Sequence, residues 1–215
     1  MQQFNQQGQS GMNTNEQIPA HMNHGGHEML DMKEVLSSTV AAIDQYLMFS
    51  GQIQDPQLKE IANRQRQFMI TQYNTMVDCF TTGQKPAVST TTYMMGETHD
   101  VIYGLQPSQP AAPKQSASEI GDQCYSGYLL ALMKGAASQL SMAALECTNP
   151  VVRRVLADSV PNYAEMAYEL FLYQNQKHYY QVPQLAPQDT EQLLGSYTQA
   201  GGQQMMNQPN MNTLQ

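Results

Sequence analysis

Apolar residues recur along this chain at alternating steps of three and four, the spacing of a helix that buries one face. After Asp55-Pro56 the seam runs through Leu58, Ala62, Gln65, Met69, Tyr73, Met76 and Phe80. Ninety-four positions on, Asn149-Pro150 opens a second seam of Val152, Leu156, Ser159, Tyr163, Ala167, Leu170 and Gln174. Most partners match in character, and the one polar residue in mid-seam, Gln65, falls on another, Ser159. We read an internal duplication of a helical hairpin. Each dipeptide is a helix start, with Asp or Asn as N-cap and Pro at the first helical position. Each also follows a long helical pattern almost without a gap, so the chain folds back there.

The pattern predicts an all-α, ferritin-like four-helix bundle over residues 27–180, with helices at about 27–53, 56–82, 116–146 and 150–178. The first carries Met29, Met32, Leu36, Val40, Ile43 and Leu47 on one face. The third opens with Ser116 and Glu119 in capping-box spacing. Its stretch Tyr128 to Met133 is apolar all round and is followed by Gly135, Ala136, Ala137 and Ser138, which suggests deep burial or a homodimer contact through this helix. Pro161 inside the fourth predicts a kink or break near Val160. The connection 83–115 holds Pro107, Pro110 and Pro113 and is too long for a turn between neighbours. It is long enough to climb the bundle, so the second hairpin starts at the opposite end, in up-down-down-up order with one crossover. Its apolar residues, Tyr93, Met94, Val101 and Ile102 among them, should hold part of it on the helices.

Residues 1–26 and most of 181–215 are rich in Gln, Asn, Met and Gly without periodicity, the composition of disordered tails. About one residue in seven of the chain is Gln, more than a packed core calls for. The formal charge of −8, with only 13% of residues charged, argues against a nucleic-acid binder, which needs a basic face. No apolar run of about eighteen residues and no basic leader are visible, so neither membrane insertion nor a signal peptide is expected, and synthesis in a cytoplasm is.

Candidate chemistry is sparse. A di-metal bundle centre needs Glu-x-x-His pairs, and three residues beyond Glu28, Glu34, Glu60, Glu97, Glu119, Glu146, Glu165 and Glu169 there is no His. The interior is therefore expected to hold hydrocarbon with neutral Gln65 and Ser159, and no cofactor or catalytic residue is assigned. His21, His24 and His27 recur every third residue near Met22, Met29 and Met32 and form the one metal candidate, for copper or nickel, though nothing preorganises them. His99 beside Glu97 and Asp100 reads as a solvated loop cluster. Cys79, Cys124 and Cys147 show no paired framework and read as small buried hydrophobes. Lys85 beside Gln84 and Lys114 beside Gln115 are the two halves of an isopeptide link, or ordinary polar linker.

The run Gly127-Tyr128-Leu129-Leu130, the helix into Cys147-Thr148-Asn149-Pro150, Arg153-Arg154, Met166-Ala167-Tyr168-Glu169-Leu170 and Tyr179-Tyr180-Gln181-Val182-Pro183 resembles the spore coat protein F family. The likeness covers about residues 28–183. It implies a ferritin-type bundle without metal ligands, made by a spore-forming bacterium and deposited in the spore coat beside other coat proteins. The expected function is structural and not enzymatic; the alternative is a ferritin-like metal-binding protein or oxidoreductase with atypical ligands. A third reading gives the His and Met arm a metal-sequestering role.

Overall fold

The structure, a computed structural model, describes residues 24–200. Five helices follow in order: α1 Gly26–Ser50, α2 Pro56–Thr82, α3 Asp122–Glu146, α4 Pro150–Gln176 and the short α5 Pro187–Leu194. The first four form a bundle and enclose one core. α1 lies beside α2 and α3, and α4 beside the same two, so α1 and α4 form one diagonal and α2 and α3 the other. α5 packs on none of them and buries no residue.

The repeat is visible in the fold. α2 and α4 are each 27 residues long and start ninety-four positions apart. Asp55 accepts bonds from the NH groups of Gln57 and Leu58, and Asn149 from those of Val151 and Val152, each satisfying two donors that a helix start leaves without partners. Leu58, Ala62 and Met69 of the first seam are buried, as are their counterparts Val152, Leu156 and Tyr163.

Three local expectations are corrected. α1 stops at Ser50, short of Ile53, because the NH groups of Gln52 and Ile53 both bond the carbonyl of Phe49 and tighten the chain into a turn that tucks Ile53 under the bundle. α3 begins at Asp122, beyond Ser116. The Ser116 hydroxyl meets the Glu119 carboxylate and not a backbone NH, and the pair supports only one 3-10 turn, Ala117–Glu119, before Ile120 turns extended. Of the kink or break expected at Pro161, the break does not occur, and α4 runs on through it. The ring is on the exposed side, while Ser159, Asn162 and Tyr163 beside it are buried, so packing holds a turn that lacks one backbone bond. Pro161→Ala supplies that bond and relieves the ring's clash; a gain of up to about 3 kcal/mol is expected, read as a higher melting temperature.

The connection between the hairpins climbs the α2/α4 side. Asp78 on α2 accepts from the NH of Ala87. Along α4, Asn162 brackets Thr91 and Tyr93, Glu169 takes the NH of Gly96, and Asn175 both accepts from and donates to the backbone of Ile102. The spacing has a simple origin. Seven helical residues and three extended ones both advance about 10 Å, so Asn162 and Glu169 meet Tyr93 and Gly96 in register. At Gly104 the strap pairs with Val182, just beyond α4.

Candidate functional site

The bundle interior holds a buried carboxylate where α2, α4 and the strap meet. Glu169 of α4 is completely buried. One of its oxygens accepts from the Arg64 guanidinium (2.7 Å) and the NH of Gly96 (2.7 Å). The other accepts from the Gln65 amide (2.9 Å) and the Tyr93 hydroxyl. Gln65 also donates to the carbonyl of Met166 and accepts from Tyr46 of α1, and Arg64 donates to the Tyr93 oxygen at 3.2 Å. Three helices and the strap thus meet in one polar cluster. Burial, then the adjoining carboxylate, push the Tyr93 phenol well above its usual range; burial does the same to Tyr46. Both remain donors at neutral pH.

The expected interior of hydrocarbon and neutral polar groups is therefore corrected: it contains a carboxylate, paired with a guanidinium. Gln65 bonds across the core, whereas Ser159 bonds mainly back to Val155 of its own helix. A divalent ion does not fit this donor set. Di-metal bundles converge several carboxylates and His side chains; here both oxygens of one Glu are saturated by donors, and Arg64 supplies the positive charge. Among the described residues no three His, Cys, Asp or Glu side chains gather closely enough to hold a metal.

Two further acids close the bundle ends. Glu28, at the start of α1, is buried and accepts from the backbone NH and hydroxyl of Thr148 (2.8 and 2.7 Å) and from the NH of Asn149 (3.0 Å). Asp122, at the start of α3, accepts from the NH groups of Gln54 (3.0 Å) and Asp55 (2.9 Å). The same ninety-four-residue offset relates the two acids and the two pairs of NH donors. Each hairpin therefore caps the turn of the other. The exchange continues, since Asn149 donates to the carbonyl of Gly83 at the end of α2, while Lys177 at the end of α4 pairs with Asp55 at 2.8 Å. These bonds also set the helix directions: α2 and α3 start at one end, α1 and α4 at the other.

The remaining candidates are dispersed. His24 donates through Nε2 to the carbonyl of Phe80 (2.7 Å), and its other ring nitrogen pairs with Glu28 (2.6 Å), so neither is left for a metal. His27 is exposed, and His21 lies outside the described residues. His99 stacks on Tyr168, while Glu97 takes the Gln57 amide and Asp100 the Thr98 hydroxyl, so the three form no acid–base cluster. The cysteines are free thiols. Cys79 and Cys147 sit at the end where α4 starts, and burial pushes each up to about 12; Cys124 sits at the other end, in the first turn of α3. No described helix is long and apolar enough to cross a membrane.

Sequence reasoning missed Glu28, Asp122 and Glu169. For the first two a signal existed, because extending the repeat offset backwards lays one acid on the other. Glu169 had a weaker one, its place between the seam residues Ala167 and Leu170.

Comparison with known proteins adds an independent line. The Coat F domain model matches residues 121–183, from the cap of α3 to just past the Val182 pairing. The spore coat protein F-like protein YhcQ of Bacillus subtilis is 51% identical over 203 residues, covering 94% of this chain and 94% of that protein. No solved structure matches the chain.

Proposed function

The chain belongs to the spore coat protein F-like family, and from that membership we propose that it is a structural, non-enzymatic component of the bacterial spore coat. The observation that carries this reading is the full-length likeness to a spore coat protein F-like protein. The Glu169 cluster supports it, since its polar groups bond one another and, among the described residues, no three metal-ligating side chains gather beside it. Such a cluster stiffens a scaffold; it does not turn over substrate.

The bundle is the rigid unit, and assembly proceeds through copies of itself and through other coat proteins. α3 supports a self-contact, with the large apolar side chains of Tyr128, Met142 and Leu145 exposed. The tails, 1–23 and 201–215, lie outside the described residues; by composition they supply weakly charged, Gln-rich and Met-rich adhesive. On this reading the chain of a sporulating host is recovered in the detergent-resistant coat fraction of purified spores. It also self-associates at micromolar concentration in light scattering. Recovery only in the soluble lysate of the mother cell or the spore core would overturn the assignment.

A further inference from the structure

The strap completes its climb at Gly104, yet α3 starts only at Asp122. Both points lie at the same end of the bundle, since Gly104 pairs with Val182 beyond α4 and Asp122 holds the turn before α2. The intervening residues are not needed to reach α3. Residues 105–119 are exposed throughout and have no regular structure besides the single 3-10 turn. Loops of about 12–15 residues or more without structure of their own are uncommon in compact domains unless they serve a function or act as linkers.

This one carries Pro107, Pro110 and Pro113. Proline presets φ for polyproline II, a helix of three residues per turn, so prolines at every third position line up along one edge. Edges of this kind fit grooves walled by aromatic rings.

Such a groove lies between α1 and α3, the side of the bundle opposite the strap. It has a volume of about 520 Å³, with Phe49 and Tyr128 as aromatic walls and Ala131 and Gly135 as floor. Gln45 and Gln139 lie along it with amides of the kind that bond peptide carbonyls. The lengths agree. The groove runs from Ser38 to Phe49 on α1 and from Gln139 to Tyr128 on α3, about 17 Å at the helical rise. The stretch from Pro107 to Pro113 in polyproline II rises about 19 Å.

We infer that the Pro107–Pro113 segment of one copy lies in the α1/α3 groove of a second copy. The inference rests on the self-assembly reading above and names its contact. Segment and groove are different surfaces of one chain, so the contact is heterologous. Repeated from copy to copy it propagates and does not close at a dimer, which suits a layer.

The test uses a fluorescent peptide of residues 104–116 and the full chain with Pro107, Pro110 and Pro113 replaced by serine, so that its own segment does not compete. Anisotropy should rise saturably, and the rise should vanish when the three prolines of the peptide are alanine. It should also vanish when Gly135→Leu fills the groove. A Cβ on Gly135 meets nothing within 4 Å, and Leu favours a helix over Gly, so that variant folds. In light scattering, the triple serine chain should lose at least tenfold in apparent self-association. No rise in anisotropy, or one that Gly135→Leu leaves intact, overturns the inference. So does a parent chain that stays monomeric while the serine chain binds the peptide, which would place the segment in its own groove. Undiminished self-association of the serine chain overturns the inference while leaving the self-assembly reading standing.

Discussion

Truncating Glu169 to alanine is expected to destabilise the bundle by about 3–5 kcal/mol, the cost of breaking a buried ion pair from one side. Four donors lose their acceptor at once: the Arg64 guanidinium, the Gln65 amide, the Tyr93 hydroxyl and the NH of Gly96. Arg64 is partly exposed and can turn to solvent or to Glu60, but Gln65 and Tyr93 are buried and cannot. Urea unfolding of Glu169→Ala, compared with Arg64→Ala and with a double Arg64→Leu, Glu169→Leu chain, separates the parts. The double variant should recover much of the loss, because it removes the unpaired groups together. Amide exchange in the strap around Tyr93 to Gly96 should quicken in Glu169→Ala while the α1 amides stay protected. A loss under about 1 kcal/mol would mean the cluster contributes nothing beyond solvent-exposed pairs.

Glu28→Ala should cost about 3 kcal/mol, since hydrogen bonds to a charged acceptor are the strong ones and here the NH groups of Thr148 and Asn149 are left at a buried helix start. The same acid sets a pH dependence. Burial by itself would raise the Glu28 carboxyl, but the bonds from Thr148, Asn149 and His24 outweigh it and hold the group below its usual value. A carboxyl depressed in the folded state contributes stability that is fully present above its unfolded value of about 4.3 and disappears as pH falls through the folded value. Asp55 is depressed in the same direction, burial again opposed by its bonds from Lys177 and the NH groups of Gln57 and Leu58. Urea midpoints should therefore be flat near neutrality and drop below about pH 4. Glu28→Gln should start lower at pH 7 and fall less steeply in acid. A variant curve parallel to that of the parent chain would show that Glu28 is not a source of the acid sensitivity.

Much of the architecture was legible because its signals are local. Asp55-Pro56 and Asn149-Pro150 announce helix starts through two or three neighbouring residues, and their matched seams expose the repeat. Glu28 and Asp122 were not recognised, because each caps a turn more than sixty residues away. A carboxylate in a helical first turn reads, on its own, as ordinary dipole complementarity. Glu169 is illegible for a related reason: it carries no ligand spacing, and its partners come from α2 and the strap, segments that no periodicity places beside it.

The residues that hold the strap show where the repeat was broken. Asn162, Glu169 and Asn175 of α4 correspond, at the repeat offset, to Phe68, Thr75 and Thr81 of α2. Only one hairpin is followed by a crossover that needs holding, and it lies against the other one.

By itself the sequence determined the four long helices, the N-terminal caps of α2 and α4, the duplication and the acidic, weakly charged character of the chain, since these depend on residues within a turn or two of each other or on composition. The tertiary structure alone decided that an interior carboxylate meets a guanidinium, that the hairpins exchange caps, and that the strap covers the α2/α4 side of the bundle. Those outcomes depend on which distant groups share a desolvated space, where an unpaired charge is costly and a paired one is held, and one-dimensional order does not specify that neighbourhood.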